Sequence, residues 1–252
     1  MNLGSIQPRL TLIIPAFNEE KLIGSSLDEL LSQLSIRHMQ AEIIIVDDGS
    51  TDLTAQIVAQ YQSRYPDIIL IKNECNRGKG YSVRRAVLQS SGEVIIFMDA
   101  DLPYSFESVL LIIETIKQGA QVAIGSRVLP ESELSDKIPL LRKLAGQMFS
   151  LLIRLILFDG IADTQCGLKG FRKKEAQEIF QLITIDGFGF DVEVLYLASH
   201  LGYKIQPVPV NLVFSRSDSR VKLLQDSTHM LFDLLTIRFN AYKGKYPVEK
   251  HV

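Results

Sequence analysis

Two aspartates one residue apart, Asp99 and Asp101, stand directly after an apolar run at residues 94–98. Carboxylates at this spacing can both turn toward one hard cation. Mg2+ and Mn2+ take oxygen ligands and share them with phosphate oxygens. A cation held there offsets the charge that builds on a departing diphosphate. Taken alone, the same pair also describes a solvated turn. Three other polar clusters follow apolar runs in the same manner. Asn18-Glu19-Glu20 comes after residues 10–14 and Pro15. Asp47-Asp48-Gly49-Ser50 comes after residues 42–46. A carboxylate there can accept hydrogen bonds from a base N–H or from ribose hydroxyls. Asn76-Arg77-Gly78-Lys79-Gly80 opens a helical pattern, where backbone N–H groups and a lysine attract phosphate.

These clusters need a frame that gathers them. Residues 10–14, 42–46, 67–72, 93–98 and 121–125 are expected as strands. Helices are expected over about 19–34, from a cap at Ser50 or Thr51 to 65, over 78–89 and over 106–118. Apolar strands alternating with helices predict an α/β fold, a mostly parallel sheet with helices on both faces. Ligands of such sheets sit beyond the carboxyl ends of the strands, where all four clusters fall. The second half breaks the alternation. Residues 138–158 read as one or two helices, 163–171 as a loop, 191–201 as helix, 204–214 as strand and 221–242 as a final helix. No repeat or linker interrupts the chain, so a single domain over 1–252 is expected.

Composition narrows the function classes. At 252 residues, with 46% hydrophobic and 22% charged side chains, the chain can bury a sizeable core. A formal net charge of -2 is no footprint for nucleic acid. Cys75 and Cys166 form no CxxC pair, which suits a reducing compartment, and both are read as small buried hydrophobes. Residues 1–10 lack a signal-peptide core. No run reaches the ~20 apolar residues of a membrane span. A cytoplasmic protein is expected, with a place on the cytoplasmic face of a membrane as the alternative. The four histidines have no metal-ligand spacing.

The motifs in combination resemble the family 2 glycosyltransferases of GT-A fold. The matching segments are TLIIPAFNEE at residues 11–20, VDDGSTD at 46–52, NRGKG at 76–80 and MDADL at 98–102. They continue with GSR at 125–127, DTQCGLKGF at 163–171 and FGFDVEVLYLA at 188–198. Among these enzymes the chain is most similar to the polyprenyl-phosphate sugar transferases, especially the dolichyl-phosphate β-glucosyltransferases. The resemblance implies a Rossmann-like, nucleotide-sugar-binding half at 10–125 and an acceptor half at 126–242.

It also implies roles. Pro15, Ala16, Glu20 and Lys79 line the nucleotide pocket, with Asp47 or Asp48 near the base or ribose. Asp99 and Asp101 face the sugar and the metal, Mg2+ or Mn2+. Mannosyl relatives often carry a metal-binding glutamine just after this element, and Pro103 stands in its place here. Arg127 and Arg142 match basic positions that meet an acceptor phosphate. Arg216 and Arg220 fall where relatives have a basic loop that closes on the donor. The implied reaction is transfer of glucose from UDP-glucose to a polyprenyl phosphate. GDP-mannose as donor and a soluble or protein acceptor are the alternatives. An ionised phosphate attacks the sugar C1 without a strong base, whereas a hydroxyl acceptor needs one, with Asp163 or Asp191 as candidates. Either aspartate can equally brace its own segment. A lipid acceptor needs a route to a membrane. Residues 140–158 offer Arg142, Lys143 and Arg154 for headgroups, and Phe149, Leu152 and Ile156 for the interface. Met230, Leu231, Leu234, Leu235 and Ile237 of the last helix form a second such surface. Both stretches also suit ordinary core packing.

Overall fold

Branched apolar residues in short runs set the centre of the molecule. The computed structural model describes residues 9–133, 140–157, 160–213 and 223–246. Seven strands form one sheet among them: β1 (Leu10–Ala16), β2 (Ala41–Asp47), β3 (Ile68–Lys72), β4 (Val94–Phe97), β5 (Val122–Ser126), β6 (Lys169–Arg172) and β7 (Ile205–Pro209). Their order is β3-β2-β1-β4-β6-β5-β7. β6 pairs antiparallel with both β4 and β5, and the other pairings are parallel. Alternation along each strand feeds two cores. Leu12, Ile14, Ile43, Ile45 and Ile96 face one layer of helices. Ile13, Ile44, Val46, Ile95 and Phe97 face the other. Each such side chain, taken fully out of water, contributes about 1.5–3 kcal/mol.

The helices are α1 (Ile23–Ile36), α2 (Thr54–Gln62), α3 (Lys79–Val87), α4 (Phe106–Lys117), α5 (Leu140–Ile156), α6 (Lys173–Leu182), α7 (Phe190–His200) and α8 (Leu223–Tyr242). α1 and α4 supply the first core, and α3, α6 and α7 the second. The five expected strands of the first half are present, each within two residues of its expected ends.

Three expectations are corrected, and for α5 and α8 the core-packing alternative holds for the inner face. Residues 169–172 are strand, and α6 follows at once. β6 is short, begins on a lysine and contains Gly170, so nothing in its composition marks a strand. α2 starts at Thr54 rather than at Ser50 or Thr51. Ser50 Oγ instead accepts from Asn18 N, and Asn18 Oδ1 accepts from Thr51 N, both at 2.8 Å. Cys75 is exposed, while Cys166 is buried as expected. On α5, Phe149, Leu152 and Ile156 pack toward the second core, and Met148, Leu151 and Leu155 point outward. The core-facing positions recur at i, i+3 and i+7, so burial claimed that face of the helix. On α8, Met230, Leu234 and Ile237 are buried and Leu231 and Leu235 are exposed.

Candidate active site

β1, β2 and β4 end on one rim. Ala16 lies in register with Asp47, and Met98 N donates to Ile13 O at 3.0 Å, which aims the chain after β4 at the same edge. Leu102 N donates to Asp99 O at 3.1 Å, closing a turn. Leu102 takes a φ of 42° there, an uncommon conformation for a bulky residue that the surrounding fold must hold. Asp99 and Asp101 sit on this turn, Asp101 half-buried.

Lys79 is the first residue of α3. Gly78 precedes it with a φ of 104°. A Cβ on Gly78 would lie 2.4 Å from Asp186 O, so only glycine fits. The Lys79 ammonium donates to Asp99 Oδ1 at 2.7 Å and lies 3.9 Å from Asp191 Oδ2. Asp191 Oδ1 accepts from Lys169 Nζ at 2.6 Å, and Lys169, wholly buried, also donates to Cys166 O at 2.7 Å. Four charges of alternating sign thus run from the rim into the core. Burial alone would lower the Lys79 pKa; the Asp99 and Asp191 charges outweigh it and raise the value well above that of an ordinary lysine. Burial alone would raise the Asp99 pKa, and Lys79 outweighs it in the other direction, so this carboxyl lies below the usual range.

Gly167 completes the pocket around Asp99. A Cβ at Gly167 would stand 1.9 Å from Asp99 Oδ2, so the carboxylate rests against a bare α-carbon. Asp99 and Asp101 are hard oxygen donors of the kind a small divalent cation takes, with Asp99 Oδ1 engaged by Lys79. Among the described residues no group of three or more His, Cys, Asp or Glu side chains converges as a metal site. Two carboxylates with the remaining positions left to phosphate and water is the usual pattern for Mg2+.

At the end of β2, Asp48 and Asp47 differ. Asp48 Oδ1 accepts from Asn73 Nδ2 at 2.7 Å and Arg77 N at 2.9 Å, and Oδ2 accepts from Gly78 N at 2.8 Å. Its carboxylate holds the loop ahead of Lys79. Asp47 Oδ1 accepts Ser50 N at 3.3 Å. Glu20 Oε2 accepts from Leu53 N at 3.1 Å and ties the turn after β1 to the start of α2. Pro15 and Ala16 form the end of β1 beside Asp47.

On the other side, Arg127 follows β5. Its Nε and Nη2 donate to the two oxygens of Asp163, each at 2.8 Å, and its backbone N donates to Oδ2 at 2.9 Å. Burial pushes the Asp163 pKa up, but Arg127 pulls it further down, below the usual carboxylate range. Arg127 also contributes to lowering Asp99. Tyr104, whose pKa burial raises well above the ordinary value, lies close enough to feel Cys166, Arg127 and Asp99. The backbone of Arg142 lies in α5, its side chain outside the described residues; Arg216 and Arg220 lie outside them altogether.

Lys169, Gly167 and Tyr104 were not singled out from the sequence. The sequence shows a lysine and two glycines, Gly167 and Gly170, close to Cys166 but not the distant partners that give them their roles.

A mostly parallel sheet carrying a two-aspartate turn beside a lysine at a helix start is the GT-A frame of a glycosyltransferase. The chain belongs to glycosyl transferase family 2, whose profile matches residues 11–180. It is 35% identical over 254 residues to a dolichyl-phosphate beta-glucosyltransferase of Dictyostelium discoideum, covering 95% of this chain and 77% of that one. It is 32% identical over 262 residues to the Homo sapiens protein of that name, covering 96% and 78%. In fold it is similar to glucosyl-3-phosphoglycerate synthase from Mycobacterium tuberculosis in complex with Mn2+, UDP-glucose and phosphoglyceric acid. That likeness has a TM-score of 0.69 at 17% identity, over 92% of this chain and 80% of that one.

Proposed function

We propose that this glycosyltransferase moves glucose from UDP-glucose to a polyprenyl phosphate such as dolichyl phosphate, with inversion at C1. The relatives named for this reaction, aligned over nearly the whole chain, support the substrates. The observation that carries the reading is how the two carboxylates considered as a base are engaged. Arg127 clamps Asp163 and holds its carboxyl below the usual range, which makes it a poor proton acceptor at neutral pH. Asp191 is turned inward onto the Lys169 ammonium at 2.6 Å. A phosphate nucleophile needs no base, being already ionised. In this reading Asp163 and Asp191 are positioning residues rather than bases.

Residues 10–125 then form the donor half and 126–242 the acceptor half. Pro15, Ala16 and Glu20 flank the nucleoside. Asp47 is the better candidate for base or ribose, because Asp48 is committed to the Lys79 loop. Lys79 serves the donor diphosphate. Asp99 and Asp101 hold Mg2+ or Mn2+, which when bound offsets charge on the leaving UDP. Arg127, fixed by Asp163, turns its outer N–H groups toward the acceptor phosphate. Arg142 and Arg216 are assigned to acceptor and donor on resemblance alone. No helix among the described residues is long and apolar enough to cross a membrane, so a peripheral place beside the lipid acceptor fits this reading.

The test is a donor and acceptor screen. Labelled UDP-glucose should place β-linked glucose in the organic phase with a short polyprenyl phosphate, GDP-mannose should not, and a chelator should stop transfer. Label appearing only on water or on a sugar hydroxyl would overturn the reading.

A further inference from the structure

Helices α5 and α8 pack together and sink their inner faces into the second core. Their outer faces remain apolar. Met148, Leu151 and Leu155 on α5 and Phe232, Leu235 and Phe239 on α8 are each between 51% and 74% exposed. Each triplet has helical spacing, so it forms one stripe. Contiguous exposed apolar surface of this kind marks a partner. The charges around it have one dominant sign. α5 contains no acidic residue. The acids of α8 are Asp226 and Asp233, and Asp233 is turned inward, its Oδ2 2.2 Å from where a Cβ on Gly189 would lie. Arg238, Lys243 and Lys245 are exposed at the far end of α8.

The inner face of α8, behind the stripe, touches the segment that carries Asp163. Gln165 Nε2 donates to Met230 Sδ at 3.8 Å, and Gln165 N donates to Asp163 Oδ1 at 3.3 Å. Asp163 in turn holds Arg127. Met230 is on the buried face of α8, and Phe232, one residue beyond Leu231, is on its exposed face.

We propose that the α5/α8 ridge docks on a lipid bilayer. The apolar stripes enter the boundary between headgroups and acyl chains, and the flanking cations meet anionic headgroups. A membrane-held acceptor then needs to lift only its phosphate from the ridge to reach Arg127. The inference rests on the polyprenyl-phosphate reading and deepens it by naming the face that meets the membrane.

The test is flotation of the full chain with vesicles of phosphatidylcholine alone and of phosphatidylcholine with phosphatidylglycerol, beside a transfer assay. The wild type should float with both and more with the anionic mixture. The double variant Leu155→Asp/Phe239→Asp should bind both at least about 10-fold more weakly, with an unchanged thermal midpoint because both sites are exposed. It should keep its rate on a short, water-soluble polyprenyl phosphate and lose it on a long-chain acceptor in vesicles. Ile36→Asp, an exposed apolar position elsewhere, should change neither. Equal vesicle binding by the double variant and the wild type would overturn the proposal. So would a dimer in light scattering that the double variant splits, since the ridge would then meet a second copy of this chain. Failure to glucosylate either acceptor would remove the functional reading instead, while the flotation result would still decide the docking face.

Discussion

At the scale of single residues, the site depends on space as much as on charge. Gly167 leaves room for Asp99, and a methyl there would fall 1.9 Å from Oδ2. Gly167→Ala should therefore displace the Asp99 carboxylate while leaving its charge. Turnover should fall roughly 100-fold, as expected when a reacting geometry shifts by about 1 Å. Mn2+ binding in the presence of UDP, followed by electron paramagnetic resonance, should weaken in parallel. Turnover and Mn2+ binding both near wild type would show that Asp99 can move without consequence. Arg127→Lys tests the opposite case, in which charge is kept and the planar fork is lost. A lysine makes one contact with Asp163 where Arg127 makes two, so the acceptor KM should rise several-fold more than the donor KM. Equal changes in both would remove Arg127 from the acceptor side. Asp99 and Asp101 were legible as a pair in the sequence because both lie within three residues after an apolar run. Gly167 and Lys169 were not, because their meaning depends on partners 68 and 22 positions away, Asp99 and Asp191.

At the scale of elements, the same division holds. Strands β1 to β5 announce themselves through branched apolar runs, and the helices between them through periodicity. β6 does not: its lysine and glycine are chosen by the site, Lys169 for Asp191 and Gly170 for close contact with Ile112. A second buried acid does similar work without a cation in its hydrogen-bond set. Glu193 on α7 accepts from Thr184 N and Oγ1, from Ile185 N and, at 2.7 Å, from the Tyr246 hydroxyl beyond α8. It thereby fixes the segment whose Asp186 carbonyl receives Tyr81 N at 3.1 Å and crowds Gly78. Glu193→Gln replaces an acceptor pair with one acceptor and one donor, leaving a buried N–H facing another. The expected cost is about 2–3 kcal/mol, or roughly 4–12 °C in thermal midpoint for a chain of this size. Tyr246→Phe removes the bond to Glu193 and a longer one from Asn240 Nδ2 at 3.4 Å, and should cost about 1 kcal/mol. If Glu193→Gln melts like the wild type, the carboxylate does not anchor this segment.

At the scale of the whole molecule, the buried ion pairs set a pH window. Asp99 and Asp163 have folded pKa values below the ordinary carboxylate. A depressed acid adds stability that is present above its unfolded pKa, near about 3.9, and is lost as pH falls through the folded value. Lys79 has a raised value, so its contribution is present below its unfolded pKa of about 10.4 and is lost as pH climbs through the folded one. Tyr61, raised to about 12 chiefly by burial and then by its hydrogen bond to Asp28, adds to the same alkaline edge from about 10 upward. Urea midpoints should accordingly be flat, for these groups, between about pH 5 and about pH 9 and decline outside it. Asp163→Asn should lower the plateau, because Arg127 loses its charged partner, and should also flatten the acid decline, because one of the protons that drives it is gone. Its double mutant with Arg127→Met should recover part of the plateau, since a lone buried charge costs more than a neutral pair. An acid limb in Asp163→Asn as steep as in the wild type would assign the decline to other carboxylates and leave the Arg127–Asp163 clamp without a part in the fold's acid stability.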